Sequence, residues 1–189
     1  VSTIQLVVSP EKLDMARKFA EGNPTPLQTD LKISPWHNKP IPDEIDVIIH
    51  LQSEPNGVGD AIKIGCREIK NPFLVLLGDN AFFQKVPDFN QPGPETASLA
   101  SKLLVDYHSN NDESPCIGAK DVEKKLIGKY GAILSESGRL ISVVEKPTSW
   151  DPLLSQVICG RYIFPARSHE ILQNLSDVQD YQLLSIHFL

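Results

Sequence analysis

The 189-residue sequence lacks the marks of several large classes of protein. It has no Lys/Arg-rich block and a formal net charge of −6, so a nucleic-acid-binding surface is not expected. No apolar run approaches the ~20 residues of a membrane-spanning helix, and no signal peptide is recognised after Val1. The three cysteines, Cys66, Cys116 and Cys159, form no C-x-x-C pair, which argues for buried, reduced thiols rather than a zinc site. We therefore expect a cytoplasmic protein that binds neither nucleic acid nor membrane.

Two common phosphate-binding motifs are also missing. The segment 52–61 reads Gln-Ser-Glu-Pro-Asn-Gly-Val-Gly-Asp-Ala, between a predicted strand and a predicted helix. It has neither the lysine of a Walker A motif nor the third glycine of G-x-G-x-x-G. Gly57 and Gly59 would let a ligand approach the backbone closely, and a helix N-terminus favours anions. A tight turn without a ligand is the alternative, and the lack of G-x-G-x-x-G after Val8 speaks against a Rossmann-type dehydrogenase.

The hydrophobic pattern predicts strands that alternate with helices early in the chain, and a hairpin later. Strands are predicted at 2–8, 45–51, 73–77, 116–119 and 157–164, with a hairpin of 130–134 and 140–144. Helices are predicted between Ser9 and Gly22, and at 57–69, 95–107 and 166–175. The continuous apolar run at 73–77 indicates a central parallel strand buried on both faces. The fold class is therefore α/β, with a Rossmann-like mixed, mostly parallel sheet flanked by helices, in a single domain over 1–189.

The strongest local signal for chemistry is Leu76-Leu77-Gly78-Asp79-Asn80. Ligands of open α/β sheets bind beyond the carboxyl ends of the strands, and Asp79 follows a predicted strand there. A hard cation that carries phosphates needs carboxylate oxygen, so Asp79 is a candidate metal ligand. The alternative is that Asp79 caps a turn.

A second signal is Val144-Glu145-Lys146-Pro147, where a charged pair ends an apolar strand. A lysine ammonium group is a compact point charge suited to a phosphate. An ordinary solvated strand end is the alternative reading.

The order of these segments along the chain resembles the glucose-1-phosphate uridylyltransferases and thymidylyltransferases, which are sugar-1-phosphate nucleotidylyltransferases. The resemblance spans Ile4 to about Gln182 and rests on five motifs in series. They are the Gln-x-x-Pro-x-Gly-x-x-x-Ala turn, Leu-Gly-Asp-Asn, Tyr-Gly, Val-Glu-Lys-Pro and Gly-Arg-Tyr-Ile-Phe. The triplet 78–80 is closer to the thymidylyl branch, whereas 57–61 and 160–162 are closer to the uridylyl branch. The fold so implied is of the nucleotide-diphospho-sugar transferase type.

The resemblance also implies roles for individual residues. Gln52 and Gly57 match positions that contact the pyrimidine base. Asp79 matches the aspartate that holds Mg²⁺ against the nucleotide phosphates, and Lys146 matches the lysine that holds the sugar phosphate. The positions implied to bind the sugar are Tyr130, Gly131, Glu145, Gly160 and Tyr162.

The reaction implied by the resemblance is attack of a sugar-1-phosphate oxygen on the α-phosphorus of UTP or dTTP, with release of pyrophosphate. The expected partners are a nucleoside triphosphate and a sugar-1-phosphate, the expected cofactor is Mg²⁺, and homo-oligomerisation is left open. Because two anions must meet in line, positioning and charge neutralisation carry most of this chemistry.

The sequence departs from the family at both ends. The glycine-rich, Arg-containing loop and the Pro-Lys element that cradle the triphosphate are absent, because 1–8 match the family's second strand. Leu184-Ser185 stand where the family has Thr-Asp, whose aspartate is the second metal ligand. The domain is therefore expected to be incomplete at both ends. The alternative is a catalytically inactive relative that acts as a regulatory or assembly module.

Overall fold

A computed structural model of the chain describes residues 2–21, 44–78, 104, 106–109, 114–149, 151, 154 and 156–174. The strands are β1 (Thr3–Val8), β2 (Asp46–Leu51), β3 (Phe73–Leu76), β4 (Cys116–Asp121), β5 (Gly131–Glu136), β6 (Arg139–Glu145) and β7 (Gln156–Phe164). The α-helices are α1 (Leu13–Ala20), α2 (Val58–Gly65) and α3 (Ser168–Asn174), and 3-10 helices span Pro10–Lys12 and Lys124–Lys129. Of the helix predicted at 95–107, only residues 104, 106 and 107 are described, and all three are helical.

The first sheet pairs β1 with β2 in parallel, and both strands form where their β-branched and apolar residues predict them. Pro10 starts a 3-10 turn, and the α-helix begins only at Leu13. Ser9 occupies the N-cap position, but its hydroxyl donates to Glu11 Oε1 at 2.6 Å instead of capping a backbone N–H. This hydrogen bond lowers the pKa of the Glu11 carboxyl.

Helix α2 is shorter than the predicted 57–69, and its C-terminal end is hydrogen-bonded to side chains of α3. Gln173 Nε2 of α3 donates to Lys63 O at 3.0 Å, and His169 Nδ1 lies 2.9 Å from Cys66 O. Near that end, a Cβ added at Gly65 would lie 2.9 Å from Val7 Cγ2, so glycine lets the helix pack closely against β1. Gln173 thereby supplies a partner to a carbonyl of the last helical turn, and His169 adds a second contact to Cys66 O, which also accepts the Ile69 N–H at 2.9 Å.

The second sheet is organised around β7, which pairs antiparallel with β3, β4 and β5, while β6 continues from β5. The prediction that β3 is a central parallel strand buried on both faces is wrong for the described residues. There β3 is antiparallel to β7, and none of its four residues is fully buried. An apolar run does not encode the direction of its neighbour, so only the tertiary pairing decides it.

The α/β class is confirmed, although the antiparallel part is larger than predicted. In the described part of the chain, one strand pairing is parallel and four are antiparallel. The predicted hairpin is present: Glu136 pairs with Arg139 around Ser137 (φ 50°) and Gly138 (φ 78°). Positive φ at both central residues is the signature of a type I′ turn.

A hydrophobic core lies between the second sheet and helices α2 and α3. Its buried members are Ile62, Cys66, Tyr162, Phe164 and Leu172. The predicted thiol burial is confirmed for Cys66 and Cys159, which are 1% and 3% exposed, whereas Cys116 is only partly buried. No helix among the described residues is long and apolar enough to cross a membrane.

Candidate functional site

The two residues predicted to contact the pyrimidine base lie together at the N-terminus of α2. Gln52 follows β2, and its Nε2 donates to Gly57 O at 3.1 Å and to Asp60 Oδ2 at 2.8 Å. Gly57 has φ 94° and ψ 178°, a backbone conformation that favours glycine. Asp60 is a residue to which the sequence pattern assigned no role, and only the fold shows that it holds the Gln52 side chain.

Two residues predicted to bind the sugar face each other across the β5–β6 ladder. Gly131 is paired with Glu145, at the open end of the hairpin. A Cβ added at Gly131 would lie 3.1 Å from Glu145 Oε2, so the carboxylate closely approaches the glycine. Gly131 itself is buried, and the absence of a side chain there leaves room for the carboxylate.

Lys146, predicted to hold the sugar phosphate, directly follows this pair and has a left-handed backbone, with φ 43°. Its N–H donates to Tyr130 O at 3.1 Å, which ties the end of β6 to the start of β5. Its Nζ lies 3.7 Å from Glu145 Oε1, and its side chain is 67% exposed. Non-glycine residues with this backbone are uncommon, and such strained positions cluster at functional sites.

Tyr130 completes this group. It ends the 3-10 helix that precedes β5, and it is 45% exposed. Tyr130, Gly131, Glu145 and Lys146 therefore form one cluster, called here the hairpin cluster, in which the three side chains are exposed and Gly131 is buried. A cation and a carboxylate together can bind a phosphate and hydroxyl groups.

Gly160 has a structural role, the close packing of β7 against Leu77, which does not depend on a ligand. It has φ 64°, and an added Cβ would lie 2.9–3.1 Å from three Leu77 side-chain atoms. Leu77 N donates to Gly160 O at 3.0 Å, and Arg161 Nη1 donates to Leu77 O at 2.8 Å. Sequence reasoning assigned Arg161 no role of its own. The sequence signal that could have singled out Arg161 is the presence of a cationic residue within the otherwise apolar β7 segment.

Tyr162 is completely buried, with 0% exposure, and its ring stacks on Phe164 with the ring centroids 6.0 Å apart. Its side chain therefore packs in the hydrophobic core. The predicted sugar contact of Tyr162 stays a prediction.

Asp79, predicted as metal ligand and catalytic residue, lies outside the described residues, as does Ser185. The described part of β3 leads to it, ending at Leu76 with Leu77 and Gly78 following. Within the described residues no group of three or more His, Cys, Asp or Glu could hold a metal ion. A magnesium ion commonly uses one or two carboxylates together with substrate phosphates, so Mg²⁺ binding remains a prediction.

An open cleft of about 650 Å³ lies beside the hairpin cluster. Its walls include Glu123, Lys124 and Lys125 on one side and the segment 147–149 on the other. Lys146 directly precedes this segment, so the cleft borders the predicted phosphate-binding position without including it.

The described structure has the fold of UDP-glucose pyrophosphorylases. It matches the crystal structure of apo UDP-glucose pyrophosphorylase with a TM-score of 0.70 and 20% identity, over 97% of this chain and 68% of that one. It also matches UDP-glucose pyrophosphorylase complexed with UDP-glucose, with a TM-score of 0.60 and 22% identity, over 75% and 54% of the two chains. At these identities the likeness concerns the fold.

Residues 4–186 match the family model described as nucleotidyl transferase, and the chain belongs to that family. Among curated relatives, it is 28% identical over 132 residues to the UTP–glucose-1-phosphate uridylyltransferase of Mycoplasma genitalium. It is 31% identical over 128 residues to the corresponding enzyme of Staphylococcus haemolyticus. These alignments cover 66% and 65% of this chain but only 41% and 40% of the relatives.

Proposed function

We propose that the protein transfers a nucleotidyl group from UTP or dTTP to glucose-1-phosphate. In this reaction a phosphate oxygen of the sugar phosphate attacks the α-phosphorus. The bond from that phosphorus to the oxygen bridging the β-phosphate breaks, and pyrophosphate leaves. The observation that carries the proposal is the hairpin cluster, in which Glu145 and Lys146 stand beside Gly131. The family match over residues 4–186 supports it.

The nucleotide end of the site is formed by Gln52 and Gly57. The hydrogen bond between them, 3.1 Å long, brings a side-chain amide and a glycine backbone to the same point at the start of α2. An amide and a partly exposed backbone are suited to the edge of a pyrimidine base. Support comes also from two structures of this fold, the UTP-bound UGPase from Acinetobacter baumannii and the UDP-glucose pyrophosphorylase complexed with UDP-glucose.

The sugar-phosphate end is formed by the hairpin cluster. In the proposed complex, Lys146 neutralises the phosphate, Glu145 accepts hydrogen bonds from sugar hydroxyls, and the Gly131 backbone contacts the sugar. Gly160 and Tyr162 pack β7 against Leu77 and the core, and their predicted contacts with the sugar stay predictions. The 3.7 Å pair between Lys146 and Glu145 is loose and exposed, so a substrate phosphate would compete well for the lysine.

Asp79 is the residue that would hold Mg²⁺ in this proposal. The metal would supply charge neutralisation on the nucleotide phosphates, and the chain positions Asp79 two residues after Leu77. Arg161 Nη1 donates to Leu77 O at 2.8 Å, which restrains the backbone just before Asp79. The Asp79→Asn variant is expected to lose Mg²⁺-dependent turnover.

The test is pyrophosphate release by the full-length protein with glucose-1-phosphate, Mg²⁺ and each of UTP, dTTP, CTP and ATP. We expect release with UTP or dTTP and little with the others. No release with any of the four nucleotides would sink the proposal. The Asp79→Asn variant serves as the negative control.

One observation favours a second candidate, a catalytically inactive module that binds nucleotide or nucleotide-sugar for regulation or assembly. Ser185 stands where the resemblance implies an aspartate that binds metal, and a serine hydroxyl replaces a carboxylate on Mg²⁺ poorly. Binding of UTP without turnover, together with a partner that co-purifies in a fixed ratio, would favour this function over the first.

A further inference from the structure

The Gln52 carboxamide is held in one orientation by two acceptors. Its Nε2 lies 3.1 Å from Gly57 O and 2.8 Å from Asp60 Oδ2. A carbonyl oxygen and a carboxylate can only accept hydrogen bonds, so the amide nitrogen must face them, and both of its hydrogens are used. Oε1 is therefore turned to the opposite side as the remaining polar atom of the side chain.

We propose that Asp60 is a positioning residue that sets base specificity by fixing Gln52 as an acceptor. This inference rests on the proposed function, in which Gln52 contacts a pyrimidine base. With its nitrogen held by Asp60 and Gly57, Gln52 presents only Oε1 to the ligand. The site then selects bases that offer a hydrogen-bond donor at this point.

The pyrimidine bases differ in this respect. Uracil and thymine carry a hydrogen on N3, which is a donor, whereas N3 of cytosine is an acceptor. Oε1 of Gln52 can therefore bond to N3–H of uracil or thymine, but it would face a lone pair on cytosine. A free glutamine could turn its amide over and bond to cytosine as well, so the restraint is what makes the side chain selective.

Asp60 contributes more to this restraint than Gly57 does. The hydrogen bond to its carboxylate is the shorter of the two, and bonds to charged acceptors are the stronger kind. Gly57 O also receives the Ala61 N–H at 3.3 Å, as the first turn of α2 requires. If the amide turned over, Oε1 would lie against a negative carboxylate, which is strongly unfavourable.

The test measures the affinities of UTP and CTP for the full-length protein by calorimetry in the presence of Mg²⁺. We expect the wild type to prefer UTP and Asp60→Ala to reduce that preference about tenfold, the effect of losing one hydrogen bond to a charged group. Glu68→Ala, which removes an exposed acidic side chain just after α2, is the matched control and is expected to keep the wild-type preference. An unchanged UTP-to-CTP ratio in Asp60→Ala, or no preference in the wild type, overturns the inference.

A replacement variant and a separate measurement of pyrophosphate release keep this test conclusive. If circular dichroism shows that Asp60→Ala is unfolded, Asp60→Asn replaces it, since an amide both donates and accepts and so releases the restraint at the same volume. Its ratio is expected to fall about threefold, and a wild-type ratio would overturn the inference. A UTP preference that depends on Asp60 in a protein releasing no pyrophosphate would uphold the inference while the proposed activity fails.

Discussion

At the scale of single residues, Lys146 combines an exposed charge with a strained backbone. Its φ of 43° is a conformation that non-glycine residues adopt at a cost of about 1–2 kcal/mol. The hydrogen bond from the Lys146 N–H to Tyr130 O holds Lys146 in this conformation, next to Glu145. Strain kept at a cationic residue beside a carboxylate is consistent with a binding role for the side chain.

Comparing Lys146→Ala with Lys146→Gly separates the strain from the charge. Both variants are expected to raise KM for glucose-1-phosphate at least ~10-fold, because each loses a charged contact to the phosphate. The free energy of unfolding of Lys146→Gly should be about 1 kcal/mol higher than that of Lys146→Ala, because glycine adopts positive φ without strain. Urea denaturation and steady-state kinetics measure the two effects.

Lys70→Ala, at an exposed lysine before β3, is the control for charge and should leave KM unchanged. If Lys146→Ala proves as stable as Lys146→Gly, the backbone strain has no energetic weight. If KM is unaffected in both, Lys146 does not bind the sugar phosphate.

At the scale of elements, β3 and β7 are joined where Gly160 meets Leu77. Gly160→Ala should destabilise the protein by about 2–4 kcal/mol, since it adds a clash with Leu77 to an unfavourable φ of 64°. Gly138→Ala is the matched control: φ is 78°, but nothing lies within 4 Å of the added Cβ. Its cost should be only about 1 kcal/mol. Equal losses in thermal or urea unfolding would show that the Leu77 contact is easily relieved.

The contact between α3 and α2 gives another prediction at this scale. Gln173→Ala removes the hydrogen bond to Lys63 O, 3.0 Å long, and should lower the free energy of unfolding by about 1 kcal/mol. Asn174→Ala changes the neighbouring exposed side chain of the same helix and should cost less. Urea denaturation of the two variants measures both effects. A smaller loss of unfolding free energy in Gln173→Ala than in Asn174→Ala would contradict a stabilising role for the Gln173 hydrogen bond.

At the scale of the whole molecule, the two buried thiols couple stability to pH. Burial raises the pKa of Cys66 and of Cys159 above that of an exposed thiol. A raised folded pKa means that stability is fully present below the unfolded pKa, about 8.5, and declines as the pH rises through the folded value.

We therefore expect the free energy of unfolding to fall between pH 7.5 and pH 9.5 more steeply in the wild type than in a Cys66→Ala/Cys159→Ala variant. Denaturant unfolding at both pH values measures the difference. In the native state, thiol reagents should modify the partly buried Cys116 before the two buried cysteines. Equal slopes, or early labelling of Cys66, would contradict the burial seen here.

Much of this molecule followed from local sequence. The β-branched run at 3–8, the type I′ turn at Ser137-Gly138 and the strand of 156–164 lie close to their predicted places, because alternation and turn residues act over a few neighbours. The motifs at Gln52-Gly57 and Glu145-Lys146 were likewise visible as strand ends that carry polar residues.

Other features were decided only by the tertiary structure. The sequence did not show that β3 runs antiparallel to β7, because residue pattern encodes burial but not the direction of the partner. Nor did it show that Asp60 holds Gln52, eight positions away, or that Arg161 reaches Leu77 across 84 positions. Such contacts depend on where the chain folds back. The sequence by itself therefore determined which residues are candidates for the proposed chemistry, and the fold decided which of the described ones meet and how each is oriented.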